Sequence, residues 1–302
     1  MIDPHIQGLL QAMAESGFAL PDPITPASLR AVLDNPIPGP AIEIAKQEDV
    51  SITVLSQSID GRLYHPAPDQ VLPVVLFFHG GGWVHGTLDM FNRLCAALAV
   101  QANCAVVSVD YRLSPENPFP AAWEDAVGSL RWVKENHSEL GIDPSRIALA
   151  GDSAGGNLAA AAAQASIEDS AVVHQLLFYP ALDGRCNTPS FKADHVGFLS
   201  AEQMRWYWEQ YAPRALREDV RVSPGLADNL SGLAPATIIV AGNDPLHDEG
   251  VAYARALENA GVEATLFDYE GAIHGFASLL GLVPLADEAV AKASDALRAA
   301  FT

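Results

Sequence analysis

Five short runs of almost unbroken apolar residues, at 74–78, 105–109, 147–150, 176–179 and 237–240, constrain this chain more than any other feature. A strand with one face in water alternates apolar and polar residues. A run that is apolar at every position has both faces covered, as in a parallel sheet held between helices. Helix-period patterns separate and follow the runs, near 90–102, 119–137, 155–167, 249–260 and 285–300. Strand–helix alternation of this kind predicts an α/β fold: a mostly parallel central sheet, flanked by helices and joined by right-handed crossovers. The alternating stretch near 48–66 predicts an antiparallel hairpin at the sheet edge.

Two segments stand outside the alternation. In the first forty residues, Leu9, Leu10 and Met13 share one helical face, and Thr25-Pro26 reads as an N-cap and first turn opening a helix to about residue 33. Pro36, Pro38 and Pro40 then end the pattern. Between two strand signals, residues 184–224 hold Phe191, Phe198, Trp206, Tyr207, Trp208 and Tyr211 without a strand signal of their own. The expected division is 1–40 as the N-terminal helical part of a cap, 184–224 as a cap insertion, and 41–183 with 225–302 as the α/β core. Such a cap would cover the carboxyl ends of the strands, where open α/β sheets place their ligand crevice. The plainer alternative for 184–224 is a helical hairpin packed on the sheet.

Composition narrows the function classes. There are 17 Lys and Arg against 37 Asp and Glu, a net charge of −20. That argues against nucleic acid and against an anionic membrane surface, both of which need clustered cations. A hydrophobic fraction of 49% is enough to build a core. Cys95, Cys104 and Cys186 form no CxxC pair, so the expectation is free thiols in a reducing, cytoplasmic setting. No apolar run approaches the roughly 18 residues of a membrane span, and the first residues lack a basic segment followed by a long apolar one. Neither HExxH nor a post-strand GxGxxG occurs, so no metal or organic cofactor is expected.

Gly151-Asp152-Ser153-Ala154-Gly155 matches G-x-S-x-G. Alone the match is weak, but it follows the run at 147–150 and opens an alanine-rich helix. That is the strand–turn–helix setting of a nucleophile elbow, with glycines where backbones must come close. Ser153 then stands at a helix N-terminus, where positive partial charge favours a developing anion. A second element, His79-Gly80-Gly81-Gly82-Trp83, directly follows the run at 74–78. Consecutive glycines leave backbone N–H groups open to one ligand atom, which is what an oxyanion requires.

A serine nucleophile needs a histidine base and an orienting carboxylate, in the order Ser, acid, His for this kind of elbow. Of the histidines after Ser153, His274 lies in a loop following a predicted strand at 264–267, at the carboxyl edge. His174 precedes a strand, His195 is in the insertion and His247 stands too close to the candidate acid. Asp244 follows the run at 237–240 and reaches the same edge. Asp268 is its rival, with Asp248 and Glu249 behind it.

Together with Asp110-Tyr111-Arg112-Leu113-Ser114-Pro115-Glu116, Asp244-Pro245-Leu246 and His274-Gly275-Phe276, these motifs resemble the hormone-sensitive-lipase-like carboxylesterases, from about residue 40 to the C-terminus. The resemblance implies an α/β-hydrolase in which Ser153 is the nucleophile, His274 the base and Asp244 the orienter. It also implies oxyanion donors at the N–H groups of Gly81, Gly82 and Ala154. His247 stands where that family would lead one to expect Arg, and Ser114 where one would expect Ala.

The expected activity is hydrolysis of small-molecule carboxylic esters of short to medium chain, with Trp83, Trp206, Tyr207 and Phe198 lining an apolar substrate pocket. The alternatives on the same residues are an amide, formamide or sugar-acetyl hydrolase, and a non-catalytic receptor such as the plant gibberellin receptors this family resembles. The family resemblance also allows a homodimer formed through an edge strand or the terminal helix at 283–301.

Overall fold

The computed structural model describes every residue from 1 to 302. Eight strands form one sheet: β1 (Lys46–Val54), β2 (Gln57–His65), β3 (Leu72–Phe78), β4 (Ala105–Val109), β5 (Ile142–Asp152), β6 (Val172–Phe178), β7 (Ala236–Asn243) and β8 (Ala264–Ile273), in the order β1-β2-β4-β3-β5-β6-β7-β8. β1 and β2 make the expected edge hairpin, and β2 also pairs antiparallel with β4. From β4 through β8 every pairing is parallel.

The apolar runs are the middles of these strands, buried on both faces. Along β3, Val74, Leu76 and Phe78 enter one core while Val75 and Phe77 enter the other, as the two-residue period of a strand requires. The first core packs helices α4 (Ala121–Glu135), α6 (Ala154–Ala165) and α9 (His247–Asn259) on one face. The second packs α3 (Leu88–Ala102) and α10 (Pro284–Ala300) on the other.

The strands extend further than the apolar runs. β8 continues six residues past 267, and its outer positions are exposed because it forms an open edge of the sheet. An edge strand lacks the unbroken apolar signal that reveals a central one.

Outside the core, α1 (Pro4–Glu15) is capped by Asp3, whose carboxylate accepts the N–H groups of His5 and Ile6. Only Ile6 of α1 is fully buried, while Leu9 and Leu10 are partly covered. α2 (Pro26–Leu33) begins as expected, with Thr25 and Ser28 forming a reciprocal cap. Residues 184–224 hold α7 (Pro189–Lys192), α8 (Ala201–Tyr211) and the first of three short 3-10 turns, Arg214–Leu216, with no strand. A four-residue helix, α5 (His137–Leu140), precedes β5.

α8 buries Met204, Tyr207, Trp208 and Tyr211. Tyr211 stacks on Trp83 at 4.2 Å with planes 5° apart, and Trp208 leans on the same indole at 4.5 Å. The loop after β3 is therefore clamped between the sheet and α8. Aromatic pairs of this kind add about 0.5–1.5 kcal/mol each beyond the area they bury.

Candidate active site

β5 ends at Asp152 and α6 begins at Ala154, leaving Ser153 alone at the bend with φ 54° and ψ −117°. A serine held in that region costs on the order of 1–3 kcal/mol, and the surroundings must enforce it. They do so by close contact. A Cβ on Gly155 would collide with the carbonyl of Phe78, so only glycine lets α6 start this near β3. The Ser153 N–H donates to the Phe178 carbonyl at 2.9 Å, pinning the bend to β6.

Asp244 and His274 arrive from the ends of β7 and β8. The imidazole Nδ1–H donates to Asp244 Oδ2 at 2.6 Å, and the Ser153 hydroxyl donates to Nε2 at 2.9 Å. Asp244 Oδ1 accepts the Leu246 N–H at 2.8 Å, which fixes the carboxylate plane. Asp244 is fully buried, with Ser153 at 7% and His274 at 9% exposure, so only the Ser153–His274 end of the line meets solvent. The ring of Tyr179 lies 4.9 Å from that of His274 and limits how it can turn. A hydroxyl–imidazole–carboxylate line in a sheltered site can move a proton off the hydroxyl and stabilise the imidazolium that results.

The glycine loop stands beside it. Gly81 and Gly82 have φ of +114° and +58°, and neither their N–H groups nor that of Ala154 donate to any acceptor in the protein. Both sides of the molecule hold this loop in place. From the core, Asp152 Oδ1 accepts the Gly80 N–H at 2.7 Å, and the Tyr111 hydroxyl donates to the His79 carbonyl at 2.8 Å. His79 lies between the rings of Tyr111 and Phe91. From the N-terminal segment, Arg30 donates to the carbonyls of Val84 and Ser114, and Asp34 accepts the Gly86 N–H. From α8, the Tyr207 hydroxyl hydrogen-bonds His85 Nε2 at 3.1 Å, and its ring occupies the space a Cβ on Gly82 would need. Burial pushes the Asp152 carboxyl up to about 6 against the Gly80 hydrogen bond and nearby His79.

The four residues expected to line the pocket separate into two groups. Trp83 has no exposed surface and is enclosed by Trp208 and Tyr211. Tyr207 is 8% exposed and packs on the loop. Trp206, edge-on to Tyr207, is partly open, and Phe198 is half-buried beside Gly275, next to His274.

The competing titratable groups are engaged elsewhere. His174 lies within β6 on Thr237, and burial pulls it down to about 4. His195 binds the Ser190 carbonyl. Asp268 lies inside β8 rather than at its end and meets His247, not His274, at 3.1 Å. Asp248 accepts the Ser190 N–H, and Glu249 accepts that of Asp183.

Both departures from the family pattern are accommodated locally. His247 bridges Asp248 and Asp268 at 3.0 and 3.1 Å; burial works against its proton, but the two carboxylates outweigh it and raise its pKa. Ser114 is fully buried, and its hydroxyl donates to the Asn117 carbonyl.

Sequence reasoning overlooked Asp152, Arg30 and Asp34, which hold the loop, and Tyr179, which packs on His274. Asp152 sits inside the G-x-S-x-G match and was the one most open to discovery. The others depend on contacts more than 50 residues apart. No group of three or more His, Cys, Asp or Glu side chains is placed to hold a metal ion.

Residues 75–278 match the family described as the alpha/beta hydrolase fold. The chain is 40% identical over 300 residues to the carboxylic ester hydrolase LipN of Mycobacterium tuberculosis, covering 93% of this chain and 78% of that one. It is also 40% identical over 271 residues to an ethyl acetate hydrolase of Pseudomonas putida, covering 87% and 85%. A solved structure of a hyperthermophilic esterase from the archaeon Pyrobaculum calidifontis superposes with a TM-score of 0.91 at 35% identity, covering 99% of this chain and 98% of that one. With this fold and these relatives, the chain belongs to the hormone-sensitive-lipase-like carboxylesterases of the alpha/beta hydrolase fold, and it is a carboxylic ester hydrolase.

Proposed function

We propose that this esterase cleaves short- to medium-chain esters through an acyl-enzyme on Ser153, with His274 as base and Asp244 as its orienter. The observation that carries this reading is the unbroken line from Asp244 through His274 to Ser153, beside three free backbone donors. As Ser153 Oγ attacks the acyl carbon, its proton passes to His274 Nε2, and Asp244 stabilises the imidazolium. The former carbonyl oxygen, now negative, is held by the N–H groups of Gly81, Gly82 and Ala154. One such donor is worth about 3–4 kcal/mol in the transition state. Nε2 then protonates the departing alkoxide. Water, deprotonated by the same nitrogen, releases the acid and restores Ser153.

Trp206 and Phe198 are the aromatic surfaces that can touch substrate, with Tyr207 forming the wall behind Gly82. Enclosed Trp83 supports that wall. With α8 packed on the glycine loop, a dissolved ester of about two to eight acyl carbons reaches Ser153 more readily than a lipid droplet does. The ethyl acetate hydrolase among the relatives has a small ester in its name.

A p-nitrophenyl ester series from acetate to hexadecanoate tests the reading. kcat/KM should peak at short or medium length, and Ser153→Ala should remove turnover. A rate rising to hexadecanoate overturns the chain-length assignment, and an active Ser153→Ala overturns the nucleophile. The family resemblance also points to a homodimer on open edge β8 or α10, which gel filtration would read. No helix is long and apolar enough to cross a membrane, and a cytoplasmic setting agrees with three free thiols.

A further inference from the structure

We infer that the segment carrying α8 holds a second binding site, for a small hydrophilic oxyanion bearing two or more negative charges. The first observation is the charge distribution. Residues 184–224 contain six of the 17 basic side chains but only five of the 37 acidic ones. They are net positive in a chain whose remainder is strongly negative.

The second is pairing. Acids outnumber bases more than two to one, and ten of the basic side chains are held by carboxylates. Arg205, Arg214 and Arg217 have no such partner, and all three line one cleft of about 720 Å³. Arg185, forked onto Asp183, forms another wall, and the only carboxylates lining the cleft are Glu209 and Glu218. With Asp183 counted beside Arg185, four guanidiniums face three carboxylates, which leaves the cleft net positive.

The third is preorganisation. Arg217 Nε donates to the Ala212 carbonyl at 3.3 Å, and its stem lies against Gly184, which leaves its terminal nitrogens available. Arg205 rests over the Phe191 ring at 5.0 Å. Guanidiniums held by their stems lose little freedom when an anion arrives, and their planar forks match carboxylate or phosphate oxygens two at a time. Charged and polar side chains supply most of the lining residues, with Cys186, Ala212 and Pro213 among them. The volume falls in the range of small-ligand sites. α8 presents Arg205 to this cleft and the next residue, Trp206, on a different side, so the anion site is separate from the ester pocket. The net charge of −20 on the whole chain disfavours anions in general, so a net positive cleft stands out against it.

Titration calorimetry of the full chain with inorganic phosphate, citrate or acetate, at an ionic strength held constant with sodium chloride, tests the site. Phosphate or citrate should bind at one site per chain, and acetate at least tenfold more weakly. Phosphate above citrate identifies a phosphate-bearing ligand, and the reverse a polycarboxylate. The double variant Arg214→Ala/Arg217→Ala should lose at least tenfold in affinity, and Arg205→Ala alone should also weaken binding. Both should hydrolyse p-nitrophenyl butanoate at the wild-type rate, which shows that they fold. Binding no stronger than acetate, or unchanged in the double variant, overturns the site.

Discussion

Asp244→Asn is the sharpest probe of the proposed catalytic line, because the substitution keeps the shape and reverses one hydrogen bond. In the structure Oδ1 accepts the Leu246 N–H at 2.8 Å and Oδ2 accepts His274 Nδ1–H at 2.6 Å, in a fully buried site. An asparagine has one acceptor and one donor for these two places. If its oxygen turns to His274, its NH2 faces the Leu246 N–H, leaving two buried donors unsatisfied at about 1–3 kcal/mol each. The oxygen therefore stays on Leu246, and the NH2 faces Nδ1. The imidazole then accepts at Nδ1 and carries its proton on Nε2, where it confronts Ser153 with a donor in place of a base. In a triad with the wrong tautomer kcat falls by about 10⁴, equal to about 5.5 kcal/mol of transition-state stabilisation. Steady-state kinetics on p-nitrophenyl butanoate should show that loss in kcat with KM little changed, and thermal melting should stay within a few degrees of wild type. A variant retaining more than a tenth of wild-type kcat would refute the orientation argument and return attention to Asp248 or Asp268.

Three further outcomes follow from the geometry. Asp152 is held protonated in the fold up to about pH 6, against an ordinary value of 3.8, because burial opposes its charge. Between those values the folded state binds the extra proton, so unfolding free energy falls as pH rises, by about 3 kcal/mol in total. Asp152→Asn, which can still accept the Gly80 N–H, should remove that component from urea midpoints measured between pH 4 and 8; an unchanged pH slope counts against it. Arg112 forks onto fully buried Asp125, so Arg112→Ala strands a buried carboxylate and should cost about 3–5 kcal/mol in urea unfolding. A loss under 1 kcal/mol would show that the carboxylate finds other partners. Tyr207→Phe removes the contact between α8 and His85 while keeping the ring on Gly82, and should lower kcat by less than tenfold. A loss as large as that of Asp244→Asn would mean that the hydroxyl takes part in the chemistry.

Much of the fold was legible because its signals are local. Central strands buried on both faces must be apolar throughout, so β3, β4, β5, β6 and β7 announced themselves. β8 was underestimated, since an open edge exposes alternate positions and blurs the pattern. Thr25-Pro26 marked the start of α2 through capping chemistry confined to four residues.

The site followed the same division. Ser153 and the glycine loop are written as contiguous motifs, because the elbow and the open N–H groups depend on residues adjacent in sequence. Asp244 and His274 were reached from strand ends gathering at one edge, with the family resemblance favouring Asp244 over its rival Asp268. What tertiary structure alone decided was how the loop is held and what each aromatic does. Arg30 reaches Val84 across 54 positions, and Tyr207 reaches His85 across 122. Trp83, which composition places in a pocket, is enclosed because α8 folds over it, and the arginines of 184–224 converge on one cleft only once that segment is folded. Backbone chemistry and burial periodicity act over a few residues and can be read directly from the chain. Packing between distant elements depends on shape and distance, which exist only once the chain has folded.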